Sequence, residues 1–307
     1  MPSLRDIRKR IRSVKNTQKI TKAMKMVSAA KLRRAQERLI AARPYANQLH
    51  DVVSHLAARV GDTEKYPLLR SHPHPRKVLL VVITSDRGLA GGFNSNVIRR
   101  AERFLWEEKS RYPDIRVAVI GRKARDYFKK GHPTMQEHVG VFESLTFARA
   151  KEIADAIADE YVREDLDAVF LAYNEFKSAI SQNVLIEQLL PVVPAGGTLL
   201  SAGADVRGAQ VAAGGTTALT AGVEHKYEPS QGEILDALLS RYFATQVFRA
   251  LLESVASEHG ARMSAMDNAT KNAGEMVGSL TLTYNRARQA YITKELMEII
   301  GGAEALK

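Results

Sequence analysis

The segment with the clearest potential for chemistry is a glycine-rich loop, Thr84–Asn94, with the sequence TSDRGLAGGFN. It follows an apolar run and precedes a helical pattern, which is where phosphate-binding loops occur. Its glycines fit neither G-x-G-x-x-G nor G-x-x-x-x-G-K-[ST]. The pattern therefore favours a tight strand-to-helix turn over a nucleotide site, and Asp86 and Arg87 are predicted to form a local ion pair. The candidate residues of this glycine loop are Asp86, Gly88, Gly91 and Gly92.

The rest of the chain offers no catalytic group in a recognisable arrangement. Cysteine is absent, which excludes disulfides, thiolate metal sites and a cysteine nucleophile. The eight histidines show no metal-ligand spacing, and no Ser/His/Asp set can be argued. We therefore predict no catalytic site, no metal and no cofactor. No run of 18 apolar residues is present, so we expect no membrane span.

Basic charge is concentrated at the N-terminal end. The net charge is +11, and residues 1–40 alone hold 13 Lys and Arg against two acidic residues. Six of these cations repeat at three- and four-residue spacing, which places them on one face of a helix. Such a face is either simply solvated or faces an acidic partner: nucleic acid, anionic lipid or acidic protein loops. We call it the cationic stripe: Arg5, Arg8, Arg12, Lys15, Lys19 and Lys22.

The cationic stripe belongs to a long predicted helix that runs to about Arg59. Ser3 and Asp6 have the spacing of a helix start. The apolar row Leu4, Ile7, Ile11, Val14 continues through polar Gln18 and Thr21, and a rotated set is then predicted to take over the apolar face. That set is Ile20, Ala23, Met24, Val27 and Ala30. Pro44 predicts a kink, and the helix would reach roughly 85 Å.

A second long helix is predicted after Pro229, the last proline of the chain. Ser230 and Glu233 form a capping box. Steps of four and three from Ile234 to Gly301 give 20 positions, of which 13 are apolar, whereas composition alone would give about nine. A helix of roughly 105 Å cannot stay inside a compact domain, so we predict that the two terminal helices form a coiled coil. Its internal Gly260, Gly274 and Gly278 indicate close approaches by a partner.

Between the two helices the sequence alternates between strand and helix patterns. KVLLVVIT (Lys77–Thr84) is typical of a strand buried on both faces. This rhythm predicts an α/β domain, Rossmann-like, with a mostly parallel sheet. Further strands are predicted at Ile115–Ile120, Val139–Phe142, Ala168–Tyr173 and Val184–Val193, with helices at Val97–Glu108, Lys123–Lys130 and Thr146–Arg163. The predicted domains are 1–60 (N-terminal coiled-coil helix), 75–194 (α/β head), 195–229 (Gly/Ala-rich loop) and 230–307 (C-terminal coiled-coil helix).

These features leave three functions open: a mechanical shaft on a globular head, a nucleic-acid-binding coiled coil that uses the cationic stripe, and a nucleotide-using enzyme built on the glycine loop. The first aromatic residue is Tyr45, so no aromatic side chain interleaves the stripe for base stacking.

Four segments together resemble a known family. They are ITKAMKMVSAAK (residues 20–31), SDRGLAGGFN (85–94), SEHGARMSAMDNAT (257–270) and YNRARQA followed by ITKELMEIIGGA (284–303). The chain resembles the gamma subunit of F-type ATP synthase, of bacterial type, over nearly its whole length. The resemblance implies an antiparallel coiled coil of the terminal helices and an α/β head. It also implies a non-catalytic rotor that couples proton flow to ATP synthesis and hydrolysis.

The resemblance also implies partners and contact residues. The partners are three alpha and three beta subunits, the epsilon subunit and the c-ring, with one copy of this chain per complex, no nucleic acid and no membrane insertion. The implied location is peripheral, on the cytoplasmic face of the bacterial plasma membrane. Met24 is expected to pack near the segment that contacts the catalytic ring. The implied contact residues are Arg288, Gln289, Thr293, Glu295, Met24 and Arg262.

Two features depart from the family pattern. Lys25 stands where an acid is common, which predicts an even more cationic neighbourhood. The segment Pro194–Val223 is longer and richer in glycine than expected, and no function is carried over to it.

Overall fold

A computed structural model of the chain describes residues 3–59, 65–70, 72, 74–132, 134–164, 166–179, 181–192 and 231–304. The predicted Gly/Ala-rich loop 195–229 and the side chains of the predicted capping box, Ser230 and Glu233, lie outside this description. The helices and strands are α1 (Leu4–Arg59), β1 (Lys77–Ile83), α2 (Phe93–Glu107), β2 (Asp114–Ile120), α3 (Arg122–Phe128), β3 (Thr134–His138), α4 (Phe147–Arg163), β4 (Ala168–Phe176), β5 (Gln182–Leu190) and α5 (Gln231–Glu304).

The chain divides into two compact units. The first, Met1–Ala30 with Arg262–Lys307, is called here the helical-pair unit, and the second, Lys31–Ala261, the α/β unit. In the helical-pair unit, Arg8 contacts Tyr284 and Lys25 contacts Asp267. Increasing numbers on α1 therefore meet decreasing numbers on α5, so the two helices are antiparallel. This confirms the predicted fold class.

The α/β unit contains a five-stranded sheet in the order β3-β2-β1-β4-β5. All neighbours are parallel except β4 and β5, which are antiparallel. Side chains of a strand alternate between the two faces, and both faces of β1 are covered, which is why its sequence is continuously apolar. Leu79, Val81 and Ile83 pack on the face covered by α4 and parts of α1 and α5, and Val78, Leu80 and Val82 pack on the face covered by α2 and α3.

The third strand was predicted at the wrong place. The prediction was Val139–Phe142, but β3 is Thr134–His138, and Val141–Glu143 is a short 3-10 helix. Gly140 has a φ of 78°, which is left-handed and ends strand geometry. Val141 is buried in the core as part of that turn. β3 pairs only with β2, and as an edge strand it needs no apolar run to be stable.

The start of α1 has the predicted cap, because the Asp6 amide donates to Ser3 Oγ at 3.2 Å and Ser3 Oγ donates to the Asp6 carboxylate at 2.7 Å. The helix continues through Pro44 to Arg59 as one element.

Two of the three glycines within α5 mark close approaches, as predicted. A Cβ on Gly260 would lie 3.1 Å from the backbone oxygen of Ala179, and one on Gly274 would lie 3.0 Å from Gln18 Nε2. Gly278 has nothing within 4 Å, so its prediction is not supported within the described residues.

Candidate functional site

The seam of α1 within the helical-pair unit keeps one register through a polar stretch. Thr21 and Ser28 are buried, and Gln18 and Lys25 are half-buried. The prediction that a rotated apolar set takes over is wrong: Met24 alone is half-buried. The other four residues of that set, Ile20, Ala23, Val27 and Ala30, are exposed.

The same face of α1 stays in the seam because its polar side chains find hydrogen-bond and ion-pair partners on α5. The Thr270 and Thr21 hydroxyls are hydrogen-bonded at 2.7 Å, and Gln18 Nε2 donates to the Thr270 carbonyl at 3.5 Å. Lys25 Nζ lies 2.6 Å from the Asp267 carboxylate. Polar pairs in a helix–helix seam fix its register. This cluster, Gln18, Thr21 and Lys25 with Asp267 and Thr270, is called here the polar clasp.

The polar clasp also corrects the prediction for Lys25. We expected Lys25 to make its neighbourhood more cationic, but its charge is paired with Asp267, which Lys271 also approaches at 3.4 Å. The hydrogen bond from Lys25 is the largest cause that lowers the pKa of Asp267.

The seam of α5 differs from the predicted one at alternate positions. Thr270, Val277 and Tyr284 are partly buried, while the predicted Met276 and Thr283 are exposed. The predicted seam also extends to Gly301, but every residue from Arg288 to Gly301 is exposed. The physical reason is that α1 begins at Leu4, so no described helix of this chain lies opposite the end of α5.

The end of α5, from Arg288 to Gly301, therefore presents an unusual surface. Six large apolar side chains are each more than half exposed. At about 100° per residue they spread over more than half of the helix circumference, rather than forming one stripe. We call this segment the apolar tip. Its exposed apolar residues are Tyr291, Ile292, Leu296, Met297, Ile299 and Ile300.

The predicted contact residues fall in two places. Arg288, Gln289, Thr293 and Glu295 all lie exposed on the apolar tip. A hydrogen bond to Glu295 raises the pKa of the Tyr291 phenol one turn earlier. The other two residues, Met24 and Arg262, are half-buried.

Met24 does not pack near the apolar tip, contrary to the expectation. Its neighbour Lys25 pairs with Asp267, which places Met24 beside the polar clasp, more than 20 residues along α5 from Arg288. At about 1.5 Å per residue this corresponds to roughly 30 Å of helix.

The cationic stripe is solvent-exposed at all six positions. Arg8 donates to the Tyr284 hydroxyl at 2.6 Å and lies over its ring at 5.5 Å. In the described part of the chain, the other members, Arg5, Arg12, Lys15, Lys19 and Lys22, form no ion pair.

The glycine loop is held by its own side chains. The predicted Asp86–Arg87 pair is wrong: Asp86 accepts from the Arg122 and Gly140 amides, and Arg87 pairs with Glu143 at 2.7 Å. The Asp86 carboxylate instead caps α3, because the first amides of a helix have no acceptor within the helix. Gly91 has a φ of 54°, a left-handed conformation that favours glycine at this position.

Two amides of the glycine loop already donate to acceptors within the loop. Asn94 Oδ1 already accepts from the Ser85 amide at 2.9 Å, and Phe93 N donates to the Ala90 carbonyl at 3.1 Å. Gly92 lies against the Asn96 side chain. These contacts favour the turn interpretation.

A buried charged cluster in the α/β unit was missed from the sequence. Arg249 Nη2 donates to both oxygens of Glu187 at 2.9 and 2.8 Å, and Tyr173 donates to Glu187 at 2.9 Å. Arg249 Nη1 also lies 3.6 Å from Glu253, whose second oxygen is buried and has no hydrogen-bond partner among the described residues. Burial raises the pKa of Glu253 from 4.5 to about 7. No sequence signal links β4, β5 and α5 in this way, because the residues lie far apart along the chain.

Together these features define a class of protein: an α/β protein with a register-locked antiparallel helical pair, whose final helix ends in an exposed apolar segment. Among the described residues no group of three His, Asp or Glu side chains could hold a metal ion. None of the described helices combines the length and the apolar character that a membrane crossing needs.

Comparison with known proteins agrees with this class. The ATP synthase family model matches residues 3–306. An ATP synthase gamma chain from Anaeromyxobacter sp. (strain Fw109-5) is 54% identical, and one from Geobacter sp. (strain M21) is 50% identical, with each alignment covering all of both chains.

Solved structures agree as well. The central stalk of the Tetrahymena thermophila mitochondrial ATP synthase is 27% identical with a TM-score of 0.61, covering 81% of this chain and 99% of that one. A Euglena gracilis mitochondrial ATP synthase chain shares the fold at 22% identity, with a TM-score of 0.67, covering 99% of this chain and 94% of that one. The chain belongs to the family of ATP synthase gamma chains, the central-stalk rotor subunits of F-type ATP synthase. It is a non-catalytic subunit, and the family predicted from the sequence is confirmed.

Proposed function

We propose that this chain couples proton flow through the membrane sector to ATP synthesis and hydrolysis by turning its apolar tip inside a catalytic ring of three alpha and three beta subunits. The observation that carries the proposal is the exposure of Tyr291, Ile292, Leu296, Met297, Ile299 and Ile300 around one helix end. Exposing large apolar surface costs about 25 cal/mol per Å². A partner that surrounds the helix removes this cost, whereas a flat partner would cover only one side.

The two kinds of surface have separate roles in this proposal. Apolar contacts are not directional, so the six exposed apolar side chains of the tip can turn against an apolar surface of the ring. Arg288, Gln289, Thr293 and Glu295 supply the polar contacts of the same segment with the ring. The cationic stripe on α1 is available to acidic loops of the beta subunits, because none of its six residues forms an ion pair in the described chain.

Torque can pass along the helical pair only if its two helices keep their register. The polar clasp supplies this, since sliding α1 past α5 would separate Lys25 from Asp267 and Thr21 from Thr270. Loss of the hydrogen bond between the buried Thr21 hydroxyl and Thr270 opposes such sliding. Met24 lies beside this clasp, and we assign Met24 and Arg262 to the support of the shaft and its contacts with the ring.

The assembly follows from the same proposal. The partners are three alpha, three beta, the epsilon subunit and the c-ring, with one copy of this chain per complex and no nucleic acid. The chain is peripheral, on the cytoplasmic face of the bacterial plasma membrane. The domain boundaries 1–60, 75–194, 195–229 and 230–307 remain predictions.

The experiment replaces two polar residues of the apolar tip. In membrane vesicles that carry the assembled complex, Arg288→Ala with Gln289→Ala should lower proton-driven ATP synthesis at least fivefold, because the tip loses its polar contacts with the ring. The double variant Lys129→Ala with Lys130→Ala, exposed residues of the α/β unit, removes cationic charge elsewhere and should leave synthesis unchanged.

Circular dichroism of each purified variant chain checks that folding is preserved. Unchanged synthesis in the Arg288/Gln289 variant would remove these two residues from the proposal.

A further inference from the structure

A cavity in the α/β unit has no role in the proposed function. Its volume is about 310 Å³, and it lies among α1, α4 and α5. Much of its wall is apolar, and the rings of Phe147 and Phe248 meet edge to face there at 5.6 Å. Leu39 and Ala46, both buried, also belong to its apolar wall. The size is at the lower end of ligand pockets, which span roughly 300–1,000 Å³.

Three arginines line the same cavity. Arg249 is held by Glu187 and Glu253. Arg43 and Arg241 are exposed, and in the described part of the chain neither forms an ion pair. The Arg241 guanidinium instead lies over the Tyr45 ring at 5.6 Å from its centre. The cavity thus joins an apolar wall to two guanidinium groups that lack a carboxylate.

We propose that this cavity binds a single-chain amphipathic anion, with a carboxylate head between Arg43 and Arg241 and an apolar body of medium-chain fatty-acid size against Phe147 and Phe248. Guanidinium groups bind carboxylates and phosphates through paired N–H donors. The apolar wall accepts the chain, because burial of its CH₂ groups away from water is favourable. Because a site of this volume holds one short chain, a free fatty acid fits better than a two-chain lipid.

The first test is isothermal titration of the full chain with sodium octanoate. Octanoate should bind at one site per chain. Acetate, which has the head alone, and 1-octanol, which has the chain alone, should each bind at least tenfold more weakly. Dihexanoyl phosphatidylglycerol, a two-chain phospholipid, should also bind more weakly than octanoate. Tighter binding of the phospholipid would overturn the single-chain assignment, and absence of octanoate binding would overturn the site.

The second test uses variants of the cavity. Arg43→Gln with Arg241→Gln should weaken octanoate binding at least tenfold, while Arg38→Gln, an exposed arginine of α1 outside the cavity, should not change it. Ala42 also lines the cavity, so Ala42→Leu should fill it and abolish binding. If that variant does not fold, the arginine pair decides alone. An equal loss in Arg38→Gln, or no loss in the arginine pair, would contradict the proposal.

Discussion

Replacing Arg249 by methionine is expected to lower the free energy of unfolding by about 3–5 kcal/mol, because it leaves buried carboxylates without their cation. The side chain of Glu187 is only 6% exposed, and Arg249 donates two hydrogen bonds to it. After the change, Tyr173 is the one described donor left to Glu187. Urea denaturation of the full chain, followed by circular dichroism, measures the loss.

Two controls separate charge from packing. Arg38→Met makes the same change at an exposed position of α1 and should leave the urea midpoint unchanged. Adding Glu187→Gln to Arg249→Met removes the stranded charge of Glu187 and should recover part of the loss, since a buried ion pair replaced as a whole is often nearly neutral and Glu253 alone then lacks its cation. A double variant that is less stable than Arg249→Met would contradict this account of the cluster.

Replacing Glu253 by glutamine is expected to stabilise the protein at pH 8 and to have little effect near pH 5. Burial raises the pKa of Glu253 from 4.5 in its ordinary state to about 7 in the folded protein. The folded chain therefore holds a proton that the unfolded chain has lost, and stability falls as pH rises between these two values. At about 1.4 kcal/mol per pKa unit the loss approaches roughly 3 kcal/mol above pH 7.

The groups that face Glu253 come from several elements. Burial is the largest effect and raises the pKa of Glu253, as do Glu175 and Glu187. Arg249 and Arg43 lower this pKa, but by less. Urea denaturation of the Glu253→Gln variant at pH 5 and pH 8 gives the difference. Glu275→Gln, at an exposed position of α5, should keep the pH dependence of the parent chain. The explanation by burial fails if Glu253→Gln shifts stability equally at both pH values.

Local sequence patterns predicted the elements whose burial follows a simple period along the chain, such as β1, and failed where burial follows no such period, as in β3. The apolar run of β1 predicted a doubly covered strand because both of its faces are buried. β3 was misplaced because an edge strand, TMQEH, can be polar, while the nearby apolar Val141 is buried in a turn. Apolar content reports burial, and burial does not distinguish a strand from a well-packed turn.

The helix–helix seam shows what periodicity alone cannot supply. The sequence predicted that apolar residues replace Gln18 and Thr21 in the seam. The structure keeps the polar register because Asp267 and Thr270 stand opposite. Such pairing depends on the relative register of two helices that lie more than 200 residues apart in sequence. The apolar periodicity of either helix alone does not contain this register. The extent of the seam could not be predicted either, because it depends on where α1 meets α5.

Knowledge of the family supplied what the residues could not. Charge and spacing left a nucleic-acid partner and a nucleotide site open beside a mechanical role. Four matched segments gave the family, which the comparisons confirm. The sequence pattern predicted a helix–helix seam at the end of α5, but the structure shows this end exposed. An exposed helix end is what a subunit that turns inside a ring of partners needs.

The most direct test of the central claim is to observe rotation of this chain within the assembled complex. The chain contains no cysteine, so Lys130→Cys gives a single attachment point for a bead at an exposed position of the α/β unit. With the catalytic ring fixed to a surface, ATP should drive continuous rotation of the bead in one direction. A bead that stays still while the labelled complex hydrolyses ATP at its normal rate would contradict the account.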